Sequence, residues 1–209
     1  MSEKLLSDKE ARNVLQKILT LYPNAKSELK WDSKFHLLCA VMMSAQTTDK
    51  MVNRVMPKFS QEFPYPKDLA NAPIEQIENE IKTIGLYRSK AKHLKATAKI
   101  LVDKYNSQIP KDKKILMTLP GVGEKTANVV LAEGYGVPAI AVDTHVSRIS
   151  KKFHIVDQKA TPHEVEKRLE AILPKEEWIK THHAMIWFGR YTMPSRAKGD
   201  PYSYLNSQK

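Results

Sequence analysis

Helix punctuation recurs along the whole chain, and no stretch shows the apolar–polar alternation of a half-buried strand. Ser7-Asp8-Lys9-Glu10 has the form of a capping box, after which Val14, Leu15, Ile18, Leu19 and Tyr22 fall on one helical face. Pro23-Asn24 ends that helix. Ser33 caps a second, apolar helix reaching about Ser44, and Thr48 caps a third that carries Met51, Val52, Val55 and Met56. PIEQIENEIKTIGL repeats isoleucine at helical spacing, and SKAKHLKATAKILVDKY continues as a long basic amphipathic helix. Thr161-Pro162-His163-Glu164 is another capping box, with proline at the first helical position. A last helix runs from near Glu176 through THHAMIWFGRY. The pattern predicts an all-α protein of roughly ten helices. No heptad is sustained, so the 209 residues bury their stripes in compact bundles, one domain or two small ones, rather than in a coiled coil.

Two segments share one plan of helix, glycine-containing turn and basic helix: TIGLYRSKA (83–91) and TLPGVGEKTA (118–127). In the second, Pro120 fixes its own φ, while Gly121 and Gly123 open backbone conformations closed to other residues. Leu119 and Val122 plug the turn into the core beneath it. Free amides then open the helix KTANVVLAE, and amides at a helix N-terminus bind anions, with glycines letting a phosphate come close. A plain helix–helix turn closed by glycine is the alternative.

Charge favours the anion. Lys and Arg number 34 against 23 Asp and Glu, a net +11 that points to a polyanion: nucleic acid first, an anionic membrane surface second. A merely basic soluble protein has the same composition. No apolar run approaches membrane-spanning length, and MSEKLLSDKEARNVLQ lacks the apolar core of a signal peptide, so a cytoplasmic or nucleoid-associated protein is expected. The single cysteine, Cys39, forms no intrachain disulfide and builds no cysteine metal site; a buried, inert thiol is its expected state.

Lys125 falls in the first turn of the helix after the hairpin, and Asp143 follows eighteen positions later, after the apolar run PAIAV and before THVSRI. Asp143 is placed as an N-cap, its carboxylate held by helix amides. A lysine at a helix N-terminus feels the positive helix end, and desolvation adds to it; both free the amine as a nucleophile. Amine and carboxylate together suit attack at a sugar C1′ as a base departs. The modest readings are a phosphate-contacting lysine and a simple cap.

LPGVGEKTANVVL followed by AVDTHVSRIS resembles the helix–hairpin–helix DNA glycosylase superfamily, and closely its endonuclease III branch. The likeness spans nearly the whole chain, with LLCAVMMSAQTTDKMVN, IKTIGLYRSKAKHL and THHAMIWFGRYT also matched in order. It implies two all-α domains with DNA crossing the cleft between them: a six-helix barrel over about 26–137, and a second domain from 1–25 and 138–209. It implies a bifunctional glycosylase and abasic-site lyase for oxidised pyrimidines in damaged double-stranded DNA, acting as a monomer. Lys125 is then the Schiff-base nucleophile and Asp143 the accompanying carboxylate. Gly121 and Gly123 supply phosphate-facing amides, and the carbonyls of Leu119 and Val122 hold a monovalent cation, Na+ or K+. Gln46 matches the residue that fills the space of the flipped nucleotide and Leu86 an apolar wedge, against readings as a helix C-cap and a core residue. Glu124, Thr126, His145 and Arg148 complete the implied DNA-binding set.

One departure stands out. In this family GRYT is usually followed by the first of four cysteines that ligate an iron–sulfur cluster, but Met193 stands there and no cysteine follows. No cluster is expected. Pro194, Tyr202, Tyr204 and Leu205 are expected to pack in its place, leaving Arg190, Arg196 and Lys198 for phosphates. His182-His183 with His145, His154 and His163 lacks acidic partners at ligand spacing, and adjacent histidines on a helix point to different sides; packing is the better reading. Trp187 and Phe188 read as core, and GVGEKT is too short for a nucleotide-binding P-loop. Two alternatives remain: a monofunctional glycosylase for alkylated or mismatched bases, whose members tend to lack the lysine, and a non-catalytic DNA-binding protein, which has no need of VDTHV.

Overall fold

The computed structural model describes residues 4–206. Among them lie eleven α-helices and no strand: α1 Asp8–Leu21, α2 Lys34–Ser44, α3 Asp49–Glu62, α4 Pro66–Asn71, α5 Ile74–Ile81, α6 Tyr87–Tyr105, α7 Lys113–Leu116, α8 Glu124–Tyr135, α9 Thr144–Lys152, α10 Pro162–Ile172 and α11 Trp178–Trp187. Side chains set many of the starts. Ser7, Ser33, Thr48 and Thr161 each accept a hydrogen bond from the backbone N–H three residues on. At Ser7 and Thr161 the third-position glutamate also reaches back to the cap N–H, so two amides without helical partners are satisfied at once. None of the helices is long and apolar enough to cross a membrane.

The chain divides into two compact units, Glu28–Val137 and the pair Met1–Ser27 with Pro138–Lys209. In the first, α2 is apolar nearly all round and nine of its 11 residues are buried, which makes it the central helix. It packs against α3, α6 and α8. Cys39 is buried here, and desolvation pushes its thiol up, away from the thiolate. His36 is the polar exception: Nε2 donates to the Phe63 carbonyl at 2.9 Å and Nδ1 pairs with Asp32. The longest helix, α6, lies along α4, α5 and α2.

In the second unit, α1 packs on α10 and α11, and α9 on α11, around a core that includes Leu15, Ile18, Ile149, Phe153 and Leu169. After α11 the helix widens into a π turn, Phe188–Thr192, and a short 3-10 turn, Pro201–Asn206, brings Leu205 into the same core. Phe188 is fully buried as expected, but Trp187 is only half-buried. Its indole N–H donates to the Lys26 carbonyl at 3.1 Å and its ring meets Tyr22 and Tyr191 edge-on. The histidine pair packs in the interior as expected, but not on different sides of the helix: the rings of His182 and His183 are both buried and lie 4.4 Å apart between centroids, with 33° between their planes.

Candidate active site

The hairpin is built on two buried plugs, Leu119 and Val122, with the Val122 N–H closing onto the Leu119 carbonyl at 3.0 Å. Helix α6 braces it from behind: the Thr97 hydroxyl donates to the Pro120 carbonyl at 2.9 Å. The two glycines do different work. Gly121 has φ +78°, in the left-handed region, and a Cβ there would come within 2.9 Å of the His93 Cβ. Gly123, by contrast, has φ −90° and ψ 179°, an extended conformation open to any residue. The expectation that both glycines are conformationally required is corrected at this position. A Cβ on Gly123 would meet nothing within 4 Å, so its contribution is open room at the start of α8. No side chain caps α8, and an uncapped helix N-terminus attracts an anion.

Lys125 is the second residue of α8 and is exposed, with Thr126 half-buried behind it. The burial expected of Lys125 is absent, and its amine lies open at the N-terminal end of α8. Glu124 pairs with Lys113 Nζ at 2.9 Å.

Gln46 and Leu86 share an uncommon backbone. Both adopt left-handed conformations without being glycine, at φ 54° and 59°. Such residues carry strain of about 1–2 kcal/mol and concentrate at functional sites. Leu86 is 63% exposed, which removes the core reading. Gln46 follows the Ala45 C-cap of α2 and is exposed as well. A Cβ at Gly85 would lie 3.4 Å from the Gln46 carbonyl oxygen, so the turn carrying Leu86 rests on the turn carrying Gln46. Sequence reasoning missed the residues of α6 that hold these parts: Lys90, His93 and Thr97, spaced three and four apart on one face. That spacing was available as a signal, but among the many lysines of α6 nothing distinguished Lys90 from a solvated neighbour.

Asp143 belongs to the other unit. Its Oδ1 accepts from the backbone N–H groups of both His145 and Val146 at 2.8 Å, an N-cap that fixes the carboxylate on α9. Arg148, one turn on, donates from Nη1 to the Met193 carbonyl at 2.7 Å and from Nη2 to the Gly189 carbonyl at 2.9 Å. Burial holds its guanidinium below the usual range, against the pull of the Asp143 charge. A Cβ on Gly189 would lie 3.0 Å from the His145 ring nitrogen Nδ1, so His145 and Arg148 both lie against the π turn.

Downstream, Met193 is 3% exposed and shares the apolar core with Phe153, Phe188 and Leu205. Tyr204 closes the following loop by donating to the Lys198 carbonyl at 2.8 Å, and Tyr202 meets Phe153 edge-on; Pro194 is exposed and does not pack there. A cluster held by four thiolates does not fit this donor set, since the one cysteine, Cys39, is buried in the other unit.

Among known proteins, residues 39–175 match the family described as HhH-GPD superfamily base excision DNA repair protein. The chain belongs to this superfamily. The match contains the hairpin, Lys125 and Asp143. This HhH-GPD protein is 46% identical over 187 residues to endonuclease III of Bacillus subtilis strain 168, covering 90% of this chain and 85% of the relative. It is 39% identical over 183 residues to endonuclease III of Escherichia coli strain K12, covering 88% and 86%. Its fold superposes with a TM-score of 0.90 on a trapped endonuclease III–DNA covalent intermediate, an estranged-adenine complex, at 45% identity over 92% of this chain and 91% of that one.

Proposed function

We propose that this chain is a bifunctional DNA glycosylase and abasic-site lyase of base-excision repair that removes oxidised pyrimidines from duplex DNA. The observation that carries the reading is Lys125, an exposed amine at the uncapped start of α8, directly after a glycine hairpin, in a chain 45% identical to an endonuclease III trapped covalently on DNA. A monofunctional glycosylase needs no amine nucleophile there, and a protein that only binds DNA needs no fixed carboxylate such as that of Asp143.

The chemistry follows from an amine and a fixed carboxylate. The Lys125 Nζ lone pair attacks C1′ of the extruded nucleotide, and the C1′–N bond breaks with its electron pair leaving on the base, which takes up a proton. Loss of the amine proton and opening of the sugar give an imine. Removal of a C2′ proton then drives β-elimination: the C3′–O bond breaks, the phosphate leaves, and the strand is nicked 3′ to the lesion. Water hydrolyses the imine and restores Lys125. Asp143, held ready by the α9 amides, stabilises the positive charge that develops at C1′ and assists proton transfer.

The remaining assignments belong to the same reading. Gly121, Gly123 and the start of α8, with Glu124 and Thr126, meet a phosphate, and the carbonyls of Leu119 and Val122 hold Na+ or K+ beside it. Gln46 and Leu86 enter the base stack, a role that their exposure and strained backbone support. His145 and Arg148 serve the DNA face through the π turn that they hold. The enzyme acts as a cytoplasmic, nucleoid-associated monomer without an iron–sulfur cluster, with Met193 and Leu205 as apolar packing in the segment that begins at the π turn. A duplex with a single thymine glycol tests the reading: free base and a β-elimination nick are expected together. A nick confined to a preformed abasic site would leave a lyase without this glycosylase activity.

A further inference from the structure

Lys90 is a charged residue in an unusual place. It sits in the first turn of α6 and is 7% exposed. Its three side-chain partners all come from one short stretch: the Met43 carbonyl at 2.8 Å, the Ala45 carbonyl at 2.5 Å and the Thr47 hydroxyl at 3.1 Å. Three acceptors match the three donors of an ammonium. They bracket Gln46. The Lys90 backbone N–H, meanwhile, donates to the Leu86 carbonyl at 3.0 Å. One residue is therefore bonded to both turns that carry strained, exposed side chains.

We propose that Lys90 is a positioning residue that locks the Gln46 turn and the Leu86 turn into one preformed wedge, so that both side chains enter the duplex together. The inference rests on the reading that Gln46 and Leu86 insert into DNA. Strained backbone persists only where its surroundings over-determine it, and the Lys90 bonds supply that constraint at 45 and 47 residues' remove in sequence. Carbonyls at the C-terminal end of α2 carry the negative end of the helix dipole, which suits a buried cation held by two carbonyls and a hydroxyl. Burial draws the Lys90 ammonium below its usual range, a strain that a lysine serving only as surface charge would not bear. A wedge assembled before binding spares the ordering of two loops at the moment of extrusion, when unstacking must also be met.

The test is a cycle of variants in single-turnover base release, reported per folded molecule, with 2-aminopurine beside a thymine glycol to report extrusion. Lys90→Met keeps the stem and removes the donors. It should slow base release and extrusion by roughly tenfold while leaving the KM for duplex within about threefold. In a Gln46→Ala, Leu86→Ala background the same substitution should add less than about twofold, because the parts it positions are gone. Thr47→Val, which removes one of the three acceptors, should show a smaller loss in the same direction and keeps the cycle readable if Lys90→Met folds poorly. Losses that multiply in full in the double-alanine background would overturn the role of Lys90 while leaving insertion standing. A double-alanine variant with wild-type extrusion would instead overturn insertion itself, and the wedge with it.

Discussion

Gly121 lies directly against His93: a Cβ added to the glycine would sit 2.9 Å from the His93 Cβ, closer than real side chains approach. With φ at +78°, the position is closed to L-residues on two counts. The hairpin thus rests on α6 at backbone contact distance.

The two hairpin glycines should therefore fail differently. Gly121→Ala should destabilise the fold by about 2–3 kcal/mol, since neither partner in the clash is a flexible side-chain tip. Gly123→Ala should cost under about 1 kcal/mol, because its φ is ordinary and its surroundings are open. Yet the added methyl occupies the approach to the α8 amides, and duplex affinity should fall several-fold. Denaturant unfolding with binding titrations separates the two; equal stability losses would contradict the geometry.

Asp143 carries a structural and a chemical duty, and they can be separated. Asparagine caps helices as well as aspartate, so Asp143→Asn should keep stability within about 0.5 kcal/mol of wild type. Asp143→Ala loses both cap bonds and should cost about 1 kcal/mol. Both variants should lose base release by roughly a hundredfold, since neither offers an anionic carboxylate. Full activity in the asparagine variant would reduce Asp143 to a cap.

The Asp32–His36 pair gives a pH dependence. The hydrogen bond from His36 holds the Asp32 carboxyl below its ordinary value of 3.8. A depressed carboxylate contributes stability above its unfolded value and loses it as pH falls through the lower folded one. Asp32 is largely exposed, so the contribution is small, under about 1 kcal/mol. Asp32→Asn should be less stable than wild type at neutral pH, with the gap closing as pH falls below 3.8. A gap that persists unchanged in acid would assign the loss to packing instead.

Met193 should behave as core. Met193→Ala removes a side chain that is 3% exposed and should cost about 2–5 kcal/mol, with base release per folded molecule unchanged. Calorimetry beside activity at low temperature reads both quantities.

What was legible in the sequence was local. Caps act over two or three residues, so Ser7, Ser33, Thr48, Thr161 and Asp143 announced their helices in one dimension. The periodic stripes of α1 and α3 were likewise visible, because burial on one face repeats with the helical turn. The hairpin was readable as a turn, though not the division of labour between Gly121 and Gly123, which depends on where His93 lies. Lys90 was invisible for the same reason. Its acceptors are supplied by the end of another helix, and among the lysines of SKAKHLKATAK charge alone does not say which one is buried. The half-exposure of Trp187 was missed where α11 gives way to a π turn, since a helix of changing pitch no longer follows the period used to assign faces.

The central claim is that Lys125 is the nucleophile. Borohydride trapping on a duplex containing one thymine glycol tests it most directly, with wild type and Lys125→Ala side by side. The account predicts a covalent protein–DNA band from wild type and none from the variant, while both bind the duplex. A band of equal strength from Lys125→Ala, or none from wild type, would contradict it.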